Sequence, residues 1–109
     1  MFGTIARVRV QPGQDEELRH IGEAWTTAMD PSAGHIAEYV FKLENSADEY
    51  MIVGICKDRD AYFRHANDPE TDRWYRRMRE LLVADPEWND GEVVQAFTFS
   101  QASVAAQVR

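Results

Sequence analysis

The sequence predicts one α+β domain, a ferredoxin-like βαββααβ chain whose four-stranded antiparallel sheet carries helices on one face. Three observations predict it. The length of 109 residues suits a single domain, and 44% hydrophobic with 28% charged residues is enough apolar material for a core. The hydrophobic period switches along the chain between two and three-to-four. Breaks at Pro12-Gly13, Asp30-Pro31, Asp68-Pro69 and Asp85-Pro86 divide the segments at those switches.

The first strand is read at residues 3–10, where Thr4, Ile5, Val8 and Val10 are β-branched. From Gln14 the period changes, and Leu18, Ile21, Trp25 and Ala28 or Met29 form one helical stripe. Asp15, Glu16 and Glu17 lie in its first turn, where acids oppose the helix dipole. Asp30-Pro31 ends it. A second strand, from about His35 to Leu43, and a third, Glu49 to Cys56, are joined by Glu44–Asp48 as a hairpin. Asp58 caps a short helix containing Tyr62, Phe63 and Ala66. Asp68-Pro69-Glu70 starts the next helix, which carries Trp74, Met78, Leu81 and Leu82 inward. The last strand is read from about Glu92 to Phe99. The domain core therefore spans about 3–99, with 100–109 as a C-terminal tail, either mobile or reaching a partner.

Alternation divides the sheet into two faces. One is expected to hold Ala6, Val8, Val10, Ala37, Tyr39, Phe41, Ile52, Phe97 and Phe99 under the helices. The other holds Ile5, Ile36, Val40, Met51, Val53, Ile55, Val94 and Ala96, with Arg7, Glu38 and Lys42 among them. A bare apolar second face is a sticky patch. The expected relief is a homodimer packed through that sheet face, with Glu38 pairing to Arg7 or Arg9 across it.

A net charge of −7 disfavours nucleic acid and anionic membrane as partners. Arg73, Arg76, Arg77 and Arg79 are the local exception, and a solvated helix face is the simpler reading of them. Cys56 stands alone, so no intrachain disulfide forms. No signal peptide and no membrane-length apolar run is read, and the expected location is cytoplasmic. His20, His35 and His65 show no metal-ligand spacing, so no metal site is expected. There is no nucleophile elbow, phosphate loop or dinucleotide fingerprint.

The segment Ala61-Tyr62-Phe63-Arg64-His65-Ala66-Asn67-Asp68-Pro69, followed by Trp74, resembles the antibiotic biosynthesis monooxygenase family. So do Val8–Glu17, with strand, proline-glycine and acidic helix start, and Ala33-Gly34 before the second strand. The resemblance spans roughly residues 3–99. It implies a dimeric α/β barrel of two ferredoxin-like units, with a pocket in each subunit between sheet and helices. Some members oxidise aromatic polyketides with molecular oxygen and no flavin, metal or haem. Others degrade haem. Family members often carry a glutamate and a tryptophan near the end of the third strand, where this chain has Gly54 and Cys56. The haem-degrading branch uses an asparagine, a tryptophan and a histidine where Ala6, His65 and Tyr75 align.

His65 is the candidate catalytic residue, because an imidazole can take a phenolic proton near neutral pH. Trp74 and Tyr39 are expected as walls of a substrate site, with Tyr75 or an arginine of the same helix near a polar substituent. The leading reading is a cofactor-independent monooxygenase for a small aromatic, phenolic or quinol molecule. The alternatives are a non-catalytic dimeric small-molecule-binding module and, behind it, a haem-degrading enzyme.

Overall fold

The computed structural model describes residues 1–99. Its elements run β1 (Phe2–Arg9), α1 (Asp15–Ala28), β2 (His35–Lys42), β3 (Glu49–Cys56), α2 (Arg59–Ala66), α3 (Pro69–Arg79) and β4 (Glu87–Glu92). The strands form one antiparallel sheet in the order β2-β3-β1-β4. This is the α+β, ferredoxin-like arrangement expected. Residues 100–109, read from sequence as a tail, lie outside the described residues.

The core sits between β1 and the helices. Val8 and Val10 are almost wholly buried, and Leu18 and Ile21 of α1, Met78 of α3 and Leu82 close over them. Both short-helix caps form as read. Asp58 accepts from the Ala61 amide at 2.7 Å, and Asp68 accepts from the Glu70 amide at 2.8 Å with Pro69 next. α2 is anchored on the sheet by Phe2, whose ring lies 5.3 Å from that of Tyr62 and 5.7 Å from that of Phe63. Gly34 adopts φ +94° ahead of β2 and brings its carbonyl to the Lys57 amide at 2.8 Å.

Three sequence expectations are corrected. α3 ends at Arg79, before Leu81 and Leu82, because the chain there is drawn onto the end of β1. The Gln11 amide donates to Leu81, the Val83 amide donates to Arg9, and Leu82 bridges Val10. The last strand is Glu87–Glu92, not Glu92–Phe99. β1 begins at Phe2, opposite Glu92, so β4 runs out of backbone to pair with after the Val93 amide donates to Met1. Residues 93–99 continue without secondary structure, and Val94, Phe97 and Phe99 are 89%, 74% and 97% exposed.

The third correction is the phase of β2. A β-bulge between His35 and Ala37 makes Ile36 an extra residue. His35 lies opposite Cys56 on the helix side, whereas Ala37, Tyr39 and Phe41 lie opposite Ile55, Val53 and Met51 on the outer side. Glu38, Val40 and Lys42 therefore turn toward the helices. Arg7 and Arg9 pair within the chain instead, each reaching Glu49 at 3.1 Å.

Gly3 is a requirement of close strand approach. A Cβ there would lie inside van der Waals contact with the Gly54 carbonyl oxygen. Gly3→Ala is expected to lower stability by about 2 kcal/mol in urea unfolding. Asp58→Ala is expected to cost only about 1 kcal/mol. A Gly3→Ala midpoint equal to wild type would mean that β1 and β3 are not held at this register.

Candidate functional site

α2 carries His65 in its last turn, over the end of the sheet where β2 starts. The His65 ring meets the His35 ring edge-on, at 4.6 Å between centroids and 88° between planes. His65 Nδ1 lies 3.2 Å from Thr71 Oγ1 in the first turn of α3. Trp25 of α1 presents its indole 6.2 Å from the His65 ring. His35 Nδ1 in turn lies 3.7 Å from Cys56 Sγ. Three helices and β2 thus meet at one half-buried imidazole, with β3 behind His35. Among the described residues, no group of three His, Cys, Asp or Glu stands where it could hold a metal ion.

Burial is the first cause that lowers the His65 pKa below the usual 6.5. The neighbouring His35 is the second, and Asp68 opposes both. The neutral ring is favoured, which is the form a general base needs. Burial, then Asp58, pushes the Cys56 thiol up and keeps it protonated.

Beside this cluster a polar row crosses the helix-facing side of all four strands. Glu38 lies opposite Gly54, Gly54 opposite Thr4, and Thr4 opposite Asp90. The flanking rows are His35–Cys56–Phe2 and Val40–Ile52–Ala6–Trp88. Thr26 Oγ1 donates to Glu38 at 3.3 Å. Glu38 borders solvent on the edge strand, yet crowding by protein atoms is the main cause raising its carboxyl pKa. The Thr26 hydrogen bond and His35 act against that rise. Tyr62 donates to Asp90 at 2.7 Å, and burial followed by that bond pushes its phenol up to about 12. Thr4 Oγ1 is close enough to Tyr62 to influence it, but its geometry makes no hydrogen bond and its oxygen is buried without a partner.

The residues named from sequence do not all come together. His65 joins Trp25 and His35. Tyr39 stands 53% exposed on the opposite face, because of the bulge, and cannot share a wall with His65. Trp74 and Tyr75 pack half-buried against the core. Arg77 lies over Trp74 at 4.7 Å, and Tyr75 meets Trp88 at 6.1 Å. The arginines of α3 are taken up locally, Arg73 by Glu70, Arg76 by Asp72 and Arg79 by Asp85. His35, Glu38 and Thr4 were not singled out as site residues by sequence reasoning. No periodic signal marks a bulge, so the inward turn of Glu38 was not legible, and His35 meets His65 only through packing between distant segments.

Two open hollows lie elsewhere. One of about 500 Å³ runs along His20, Glu23, Ala24, Thr27 and Ala28 of α1. One of about 210 Å³ lies among Arg7, Arg9, Glu49 and Asp85 on the outer face. Both are solvent-facing grooves edged by ion pairs or helix surface, without converging unpaired polar groups. Neither brings together buried titratable groups as the end of the sheet at His65 does.

Residues 1–77 match the family model described as antibiotic biosynthesis monooxygenase. The fold is similar to that of a candidate antibiotic biosynthesis monooxygenase from Deinococcus radiodurans, with TM-score 0.76 and 14% identity over 93% of this chain and 100% of that one. It is similar to a protein from Mycobacterium tuberculosis, with TM-score 0.74 and 18% identity over 89% and 98%. It is also similar to a conserved protein from Methanosarcina mazei, with TM-score 0.74 and 16% identity over 83% and 89%. At such identities the likeness is one of fold. No curated protein matches the chain by sequence.

The lowered His65 pKa has a sign that stability can read. Between the folded value and 6.5 the unfolded chain binds more protons at this site than the native chain, so His65 makes stability rise with pH through that window. Its penalty appears as pH falls below 6.5 and is absent above it. Urea unfolding from pH 5 to 8 (about that range) is expected to show this slope, and His65→Gln is expected to flatten it. An imidazole midpoint at or above 6.5 by NMR would contradict the burial argument.

Proposed function

The chain belongs to the antibiotic biosynthesis monooxygenase family, and on that premise we propose that it is a cofactor-independent monooxygenase for a small aromatic, phenolic or quinol substrate held between sheet and helices. The observation that carries the reading is the half-buried, neutral-favouring His65, with Nδ1 engaged by Thr71 and the flat Trp25 indole beside it. In the tautomer whose Nδ1–H donates to Thr71 Oγ1, Nε2 is bare and accepts the phenolic proton. Deprotonation makes the ring electron-rich, and the substrate itself supplies the electrons that reduce oxygen. For a ring methylene, one oxygen atom becomes a carbonyl and the other leaves as water. The protein's share is then to orient, deprotonate and shield.

Trp74 and Tyr75 follow Thr71 by three and four residues, which supports their place on the same side of α3 as bounds of the site. Tyr39 is assigned away from the site, to the outer face. There Ile5, Tyr39 and Phe41 are each about half exposed and, with the unpaired stretch 93–99, support a homodimer through the sheet face. A lone, buried Cys56 suits the reducing cytoplasm.

Oxygen consumption with a panel of hydroquinones and anthrones tests the activity. His65→Ala is expected to lower turnover about 100-fold or more, with its circular dichroism unchanged. Unchanged turnover would remove the base, and tight binding without oxygen uptake would favour the non-catalytic binding module. Light scattering across a dilution series is expected to give twice the chain mass. A monomer at every concentration would remove the sheet-face dimer.

A further inference from the structure

The polar row contains two positions that folding alone does not explain. Gly54 sits in the middle of β3, without the positive φ that would call for glycine. A Cβ placed on it would meet no atom within 4 Å, so the space above it on the helix side is empty. A glycine inside a strand weakens it and marks a place where something else approaches the backbone. Thr4, directly across the strand pair, is 9% exposed, and its Oγ1 is a buried polar atom without a hydrogen-bond partner. The Tyr62 hydroxyl gives its hydrogen to Asp90 and the Thr26 hydroxyl gives its own to Glu38, so neither donates to Thr4, and the nearby Tyr62 oxygen does not meet Thr4 Oγ1 in hydrogen-bond geometry. A hydroxyl left over in this way beside an unfilled space asks for a partner from outside the chain.

We infer that the gap over Gly54, walled by Thr4 and Glu38, is the subsite that receives an oxygen-bearing edge of the substrate ring, and that the absence of a side chain at position 54 sets how large that edge can be. The inference rests on the proposed enzymatic reading and deepens it. A carbonyl or hydroxyl oxygen can accept from Thr4 Oγ1, and the flat ring edge occupies the space where a Cβ would be. Glu38 closes the β2 side of the gap. The His35 row, where His65 stands, is the next row along the same face. Successive same-face residues of a strand are roughly 7 Å apart. An oxygen-bearing ring edge over Gly54 therefore lies on the same side of the sheet as His65.

The test uses the full chain and 1,4-naphthohydroquinone as probe, kept anaerobic, with naphthalene as the comparator that lacks oxygen. Affinity is read by quenching of tryptophan fluorescence and the site by amide shifts in NMR. The expected result is binding of the hydroquinone with the largest shifts at Thr4, Glu38 and Gly54. Gly54→Val is expected to weaken it by at least about tenfold, because the branched side chain fills the gap. Thr4→Val is expected to weaken it about 3- to 10-fold, with Thr4→Ser restoring it and naphthalene indifferent to both. If Gly54→Val does not fold, Gly54→Ala serves, since its added Cβ meets nothing. Shifts confined to the outer face or to α1, affinity unchanged in the Gly54 variants, or no binding at millimolar probe would each overturn the subsite. Binding here without oxygen consumption would keep the subsite and remove the enzyme reading. Turnover unaffected by the Gly54 and Thr4 variants would do the reverse.

Discussion

Every other element takes its phase from β1. The strand is hydrogen-bonded along both edges, to β3 and to β4, so its alternation fixes which residues of both neighbours face the helices. Ala6, Val8 and Val10 are buried to within 1% of completely, and α1 and α3 close on them through Leu18, Ile21, Met78 and Leu82. A slip of one residue would expose that whole row and bury Ile5, Arg7 and Arg9 in its place, and two of those carry charge. The far end of the strand is locked by Gln11. Its side-chain amide donates at 3.1 Å to the carbonyls of both Glu80 and Leu82, and the bridge from Val10 to Leu82 continues the pairing. α3 is cut short to allow this, which shows backbone pairing on β1 outweighing a further helical turn.

Given that phase, the bulge at Ile36 decides what the edge of the sheet presents on each side. Without the extra residue, Ala37, Tyr39 and Phe41 would follow His35 to the helix side. With it, His35 still stands over Cys56 and against His65, but Glu38 takes the next inward place. The same insertion therefore makes the inner rim polar and the outer face aromatic. An outer face that holds Tyr39 and Phe41 beside Val53 and Met51 is more aromatic than the Ile36, Val40 and Glu38 set that strict alternation predicts. It is also rid of the unpaired acid that strict alternation would put there.

Element order, hairpin, caps and the inward row of β1 were legible because each has a local cause. Asp58 and Asp68 cap, Pro12-Gly13 turns, and Val8 and Val10 alternate with arginines. What was not legible came from pairing between distant segments. β4 is built from Glu87-Trp88-Asn89-Asp90-Gly91-Glu92, a poor strand by composition, whereas the strand-like Val93–Phe99 has no partner. Strand propensity reflects how side chains pack on a pleated surface, but an edge strand is held by backbone hydrogen bonds that any residue offers. The candidate residues divide in the same way. His65 lies on a helix whose cap is local, whereas Tyr39 and Glu38 exchange sides of the sheet because of one bulged residue.

Polar atoms on the helix side of the sheet are satisfied unevenly, and the unevenness is informative. Tyr50 donates to Asp15, Tyr62 to Asp90 and Thr26 to Glu38, so this chain supplies acceptors where hydroxyls need them. Among the described residues, Thr4 Oγ1 is the only buried side-chain polar atom left without one. A valine at position 4 would have the same shape without the orphaned oxygen, and a β-branched residue at 54 would suit the middle of a strand better than glycine. Neighbouring positions follow that logic, with Ala6, Val8 and Ile52 on the same side of the same strands. Two breaches of it, directly opposite each other and one row from His65, are where the requirements of a site and those of stability part company.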